Sequence, residues 1–165
     1  MTQKQLENTF AWFRAQPGRI TALRAVNAAC TYGTVAAFCA ESTHLALRHD
    51  PALLRLALTC GVPLVGLSIV RRVMDRPRPF EVYGMEPLIP RQQRGESFPS
   101  RHVFSIAVIG TSLLYLAPGL GAVILALGVL LAAARVLSGV HFIKDVLVGA
   151  LIGVLSAIVG FGIIP

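Results

Sequence analysis

Residues 102–137 read HVFSIAVIGTSLLYLAPGLGAVILALGVLLAAARVL, and no side chain between His102 and Arg135 carries a charge. Pro118-Gly119 divides this run in two, because proline ends a helix and the pair favours a turn. Each half approaches the roughly 17–25 apolar residues that a bilayer-crossing helix needs. The stretch therefore predicts a helical hairpin across a membrane. One span starts near His102, and the next runs from Leu120 to about Leu137. Working outward, Arg24 to Ala40 and Leu53 to Val70 predict two earlier spans. Phe142 to Ile164 predicts a last one, with no charge after Asp145. Flanking arginines snorkel to the interface and extend the shorter runs.

The composition agrees. Of 165 residues, 55% are hydrophobic and 14% charged, with a mean hydropathy of +0.67. That excludes a disordered chain and leaves too few charges to coat a helical bundle in water. The fold class is all-α: an integral membrane helical bundle of about five transmembrane helices plus an N-terminal interfacial helix. The interfacial helix occupies residues 1–18 and the transmembrane domain residues 19–165. In the first segment Leu6, Phe10 and Phe13 share one helical face, Trp12 suits the headgroup zone, and Pro17-Gly18 ends the helix. Its apolar run is too weak for a secretory signal. Cys30, Cys39 and Cys60 fall inside predicted spans and read as small buried hydrophobes. The one long polar connection, Arg71 to Phe98, holds Pro77, Pro79, Pro87 and Pro90 and reads as irregular. Gly149, Gly153 and Ala157 suit close helix packing, within the chain or between copies.

Polar groups beside membrane spans are costly and usually functional. Three clusters stand out. Arg71, Arg72, Arg76 and Arg78 follow the second span; Ser97 to His102 opens the third; Arg135, His141, Lys144 and Asp145 bracket the junction of the fourth and fifth. Counting crossings places all three on one membrane face. His44 and His49 fall on the other and read as solvated loop residues.

The chemistry of the converged set is specific. Arginine forks match phosphate oxygens bidentately and keep their charge. Ser100 is placed to cap the third helix, whose N-terminus is an anion site. His141 and Asp145 are four apart on one helical face, so Asp145 can accept a hydrogen bond from Nδ1–H and leave Nε2 free as nucleophile. His102 is then the proton donor. This composition points to phosphoryl transfer. The net charge of +7 fits a phosphorylated substrate or anionic lipid. With this hydrophobicity, membrane lipids and a lipid phosphate are the expected partners, and nucleic acid is not. A metal held by His102, His141 and Asp145 is a competing reading, but the surrounding guanidinium groups repel a cation. No metal or other cofactor is expected.

These residues resemble the motifs of the type 2 phosphatidic acid phosphatase family, membrane lipid phosphatases related to vanadium haloperoxidases. The family's Lys-x6-Arg-Pro reads here as Arg71-x6-Arg78-Pro79. Its Pro-Ser-Gly-His reads as Pro99-Ser100-Arg101-His102, and its Ser-Arg-x5-His-x3-Asp as Ala134-Arg135-x5-His141-x3-Asp145. Arg71 keeps a charge with a different reach, Arg101 adds a guanidinium where the family has glycine, and Ala134 lacks a hydroxyl. The resemblance implies that His141 attacks phosphorus through a phosphohistidine while Asp145 orients it and His102 handles the proton. It also implies that Arg71, Arg78, Ser100, Arg101 and Arg135 hold the phosphate, without metal. Small bacterial members resemble undecaprenyl-diphosphate phosphatases, or phosphatidylglycerophosphate and phosphatidate phosphatases. The compact layout favours polyprenyl diphosphate, and Arg101 is available for a second phosphate.

Two signals of sidedness disagree. The family resemblance implies the outer face of the bacterial cytoplasmic membrane. Yet only Arg48 and Arg55 of the 15 Lys and Arg fall opposite the site, provided that the N-terminal segment lies on the site face. Positive residues collect on the cytoplasmic side. Two rivals from other classes are a non-catalytic lipid- or anion-binding membrane protein or transporter, and a structural bundle with interfacial arginines. The intact His102, His141 and Asp145 speak for catalysis, since binding alone needs only arginines.

Overall fold

The computed structural model describes residues 2–90 and 94–163. Seven helices follow in order: α1 Gln3–Arg14, α2 Pro17–Leu47, α3 Ala52–Met74, α4 Pro79–Val82, α5 Arg101–Leu116, α6 Pro118–Leu137 and α7 Ile143–Ala157. A π-helical turn, Ile158–Ile163, extends α7. The predicted end of the last span at Ile164, and Arg91 to Gln93 of the polar connection, lie outside the described residues.

Among the described residues, three stretches are long and apolar enough to cross a membrane by length and composition: Ala52–Val82, Pro118–Leu137 and Ile143–Gly162. Apolar residues such as Val62, Val65, Ile69, Val129, Leu147 and Leu151 project outward from α3, α6 and α7. In water such a surface would be an aggregation patch; in a bilayer it faces lipid. The other two predicted spans differ for physical reasons. α2 has 31 residues, about 46 Å at the α-helical rise, so it reaches beyond Arg24 to Ala40 at both ends, but it is less apolar. Pro17 sits at its first turn, where a missing N–H costs nothing. Pro17-Gly18 thus starts α2 as well as following α1.

α5 has only 16 residues and is the most enclosed helix, buried from Val103 to Leu113 except at Ser105. It packs on α6, α7, α3 and α2. A helix surrounded by protein has no need to match the lipid thickness by itself. Glycine permits its close neighbours. A Cβ on Gly121 would lie 2.5 Å from the Leu114 nitrogen. One on Gly149 would lie 2.6 Å from the Ser100 carbonyl oxygen, and one on Gly153 2.6 Å from that of Phe104. The small-residue face of α7 therefore packs within the chain, backbone against backbone on α5.

Three further expectations are corrected. The face of α1 formed by Leu6, Phe10 and Phe13 is covered by protein, packing with Leu23, Leu88 and Ala134, while Trp12 remains outside and stacks under the Arg19 guanidinium at 3.9 Å. Cys30 and Cys60 are buried but Cys39 is exposed on α2. The polar connection contains one helical turn, α4.

Candidate active site

Each half of the site is built on a short-range backbone device. After α3, the chain turns through Asp75 with a left-handed φ of 35°. Glu81, in the first turn of α4, accepts from the Arg78 N–H at 2.7 Å and from the Gly95 N–H at 3.0 Å. Asp75 accepts from the Glu96 N–H at 3.2 Å. Two carboxylates thus tie both ends of the connection together, which delivers Arg71 and Arg78 beside the start of α5.

On the other side, α6 ends at Arg135 and Leu137, and Gly139 turns the chain with φ of 75°. A Cβ here would meet the Phe10 ring of α1 at 2.6 Å, so space and conformation both require glycine. Gly139 accepts from the Phe80 N–H at 3.1 Å, and Ser138 accepts from the Leu88 N–H at 3.2 Å. His141 follows immediately. It lies in this turn, ahead of α7, and not on a helical face with Asp145 as the spacing predicted. Asp145 occupies the first turn of α7 and accepts from the Phe142 N–H at 2.9 Å.

The structure brings most of the predicted residues into one enclosed cluster. Arg71, Arg78, Ser100, Arg135, His141 and Asp145 are all buried. Arg71 donates to the Pro99 carbonyl and lies 3.9 Å from the Glu96 carboxylate. Arg78 is fully enclosed and donates to three carbonyls, those of Gly95 at 2.8 Å, Val140 at 3.0 Å and Glu96 at 3.1 Å. It is therefore a clasp between the connection and the His141 turn as well as a positive charge. The Ser100 N–H donates to the Asp145 carbonyl at 2.8 Å and joins α5 to α7. His102, in the first turn of α5 at the same end of the bundle, is half-buried.

Two expectations change. Ser100 stands at the N-cap of α5 but makes no capping bond with its side chain. Its buried Oγ has no hydrogen-bond partner among the described residues, so it is available to a ligand. Arg101 is exposed; its side chain borders grooves on the flanks of α5, in contrast to the buried arginines.

Sequence reasoning gave three members no role. The Ser97 hydroxyl donates to Asp145 Oδ2 at 2.5 Å, with both side chains buried. Asn27 of α2 accepts from Arg135 Nη1 at 3.2 Å. Glu81 organises the Arg78 loop, as above. Position beside the Pro99-Ser100 motif could have singled out Ser97. Asn27, a lone amide in an apolar span, was itself a signal of a polar partner.

Burial holds the His141 imidazole neutral, its pKa lowered to about 4. The positive charges of Arg135 and Arg78 push the same way, and the Asp145 carboxylate opposes them. His141 Nδ1 lies 3.8 Å from Asp145 Oδ2, beyond hydrogen-bond distance. Neither Nδ1 nor Asp145 Oδ1 has a hydrogen-bond partner among the described residues. Buried orphaned atoms are rare, and here three, with Ser100 Oγ, share one polar cluster. Catalytic bonds of this kind often shorten only around substrate.

An all-helical membrane bundle that buries guanidinium, imidazole and carboxylate groups at one end has the construction of a membrane lipid phosphatase. The comparisons specify the family. The profile of the PAP2 superfamily matches residues 52–165, and the chain belongs to that superfamily. Its fold is similar to that in the crystal structure of Aquifex aeolicus LpxE, with TM-score 0.72 and 22% identity over 95% of this chain and 94% of that one. It is also similar to a PAP2-type phosphatidylglycerolphosphate phosphatase from Bacillus subtilis, with TM-score 0.58 and 21% identity over 96% and 94%. No curated protein matches the sequence.

Proposed function

We propose that the protein hydrolyses a lipid phosphate or diphosphate, with polyprenyl diphosphate the favoured substrate, through a phosphohistidine on His141. The observation that carries this reading is the burial, in one cluster, of a neutral imidazole, an unpartnered Ser100 hydroxyl and three arginines. In the first step His141 Nε2 forms a bond to phosphorus as the bond from phosphorus to the lipid oxygen breaks. That oxygen takes a proton from His102 and leaves with the lipid. In the second step a water oxygen attacks phosphorus, its proton passes to His102, the phosphorus–nitrogen bond breaks, and inorganic phosphate departs. Asp145 orients His141 and stabilises the imidazolium side of the reaction. Ser97 holds Asp145, and Asn27 holds Arg135.

Charge stabilisation is assigned to Arg71, Arg78 and Arg135, with Ser100 and the first N–H groups of α5. These cations supply the positive field that a metal supplies in other phosphatases. Among the described residues no three His, Cys, Asp or Glu side chains are grouped to hold a metal. A glycerolipid phosphate is the second reading, favoured by the likeness to the Bacillus subtilis enzyme.

Purified protein in detergent is expected to release phosphate from polyprenyl diphosphates faster than from phosphatidylglycerophosphate or phosphatidate, with no loss in chelator. The reverse order selects the glycerolipid reading. Loss in chelator with recovery on added zinc overturns the metal-free mechanism.

We further place the site at the cytoplasmic face. α1 packs on Leu88 and Ala134, so the N-terminal segment and its Lys4 and Arg14 lie on the site side. Arg91, counted with them in the sequence, lies outside the described residues. A single cysteine at Glu86, in a chain with Cys30, Cys39 and Cys60 replaced, is expected to resist an impermeant thiol reagent in intact cells and to react after permeabilisation. Labelling of intact cells places the site outside.

A further inference from the structure

The exposed side of Arg101 leads to an inference that rests on the phosphatase reading and names its substrate more narrowly. Arg101 borders a groove of about 420 Å³ between α3 and α5. Arg72 borders the same groove, with the Ser68 and Ser105 hydroxyls and the apolar Leu64 and Ile69. No carboxylate among the described residues lines it. Among the described residues neither guanidinium has a hydrogen-bond or ion-pair partner. Two like charges therefore flank one groove, and the groove continues into apolar wall.

Chain direction links this groove to the reaction. Arg71 turns inward to the Pro99 carbonyl, while its neighbour Arg72 is exposed. At the start of α5, Ser100 is buried, Arg101 is exposed and His102 lies between these extremes. His102 and Arg101 also share a second groove, between α2 and α5. His102 protonates the departing lipid oxygen, so whatever remains on the lipid leaves past the start of α5, where Arg101 borders both grooves. When the substrate is a diphosphate, that remainder begins with a phosphate.

We propose that Arg72 and Arg101 form a second anion subsite, which binds the phosphate that stays on the lipid after cleavage and makes the enzyme selective for diphosphates. The subsite holds the inner phosphate while the buried arginines hold the outer one, and Leu64 and Ile69 receive the first carbons of the tail. Charge-assisted guanidinium bonds are strong and directional, whereas serine hydroxyls adapt to either oxygen.

The test compares a polyprenyl diphosphate with the matching monophosphate in mixed micelles, using wild type, Arg72→Gln and Arg101→Gln. The KM ratio, diphosphate over monophosphate, is expected to rise about 10-fold in each variant, with the melting temperature held. An unchanged ratio, or equal losses on both lipids, overturns the subsite and leaves the phosphatase reading intact. Absence of turnover by wild type on any lipid phosphate instead overturns the phosphatase reading. Titrating phosphatidylglycerol into monophosphate micelles separates the sources. If that lipid alters the wild-type KM and neither variant responds, the occupant is a neighbouring headgroup, and selectivity for diphosphates is overturned.

Discussion

A His141→Gln enzyme is expected to lose phosphate release by about 10⁴-fold or more, because the nucleophile is gone and the other imidazole, His102, is committed to proton transfer. Glutamine keeps a planar polar group in the buried turn, so the loss reads chemistry and not a cavity. Rapid base quench of wild type with terminally labelled diphosphate is expected to trap a phosphoenzyme that survives in base, is lost on acidification and is absent from the variant. The pH profile supplies an independent arm. An attacking imidazole must be neutral. In solution it becomes so only above about 6.5, but burial and two guanidiniums lower the His141 pKa to about 4. Activity attributable to His141 is therefore present above this value and lost as pH falls through it. The acid limb of kcat/KM is expected near 4. A variant retaining a tenth of wild-type turnover would assign the nucleophile elsewhere.

Arg78→Met is expected to abolish activity and lower stability by about 3–5 kcal/mol. The side chain is fully buried and serves the carbonyls of Gly95, Glu96 and Val140. Removing it orphans three acceptors at once, each with a desolvation cost of about 1–3 kcal/mol. Arg78→Lys retains the charge but offers one compact ammonium to carbonyls on two chain segments, so little recovery is expected. Thermal unfolding in detergent, with phosphate release measured in parallel, checks both variants. If lysine restores both stability and rate, Arg78 acts as a charge alone and the clasp is wrong.

The legible part of this protein was its arithmetic of crossings. An apolar hairpin at residues 102–137 fixed the direction of each span, and direction alone brought Arg71, Ser100 and Arg135 to one end, where the structure buries them together. Pattern fails where it gives a face without what covers it. Leu6, Phe10 and Phe13 made a stripe in the sequence, but only tertiary packing shows Gly139 and Leu88 beneath them. It fails again for α5, whose 16 residues suffice because neighbours enclose it. Ser97, Asn27 and Glu81 were hidden for another reason. Each acts through a single hydrogen bond or two to a distant segment, and such a bond leaves no periodicity behind. The outward turn of Arg101 was invisible in a motif that sets it between the buried Ser100 and the half-buried His102.

The glycine contacts between α5 and α7 have a mechanical consequence. Ser100 and His102 stand at the start of one helix and Asp145 at the start of the other, and backbone atoms of Ser100, Phe104 and Val108 with the small Ala107 meet Gly149 and Gly153. Close backbone packing leaves that pair little room to slide. Room for a lipid to enter and its product to leave lies instead toward α2 and α3, where both grooves open. Stapling α5 to α7 should leave turnover untouched, whereas stapling α3 to α5 should shut the door.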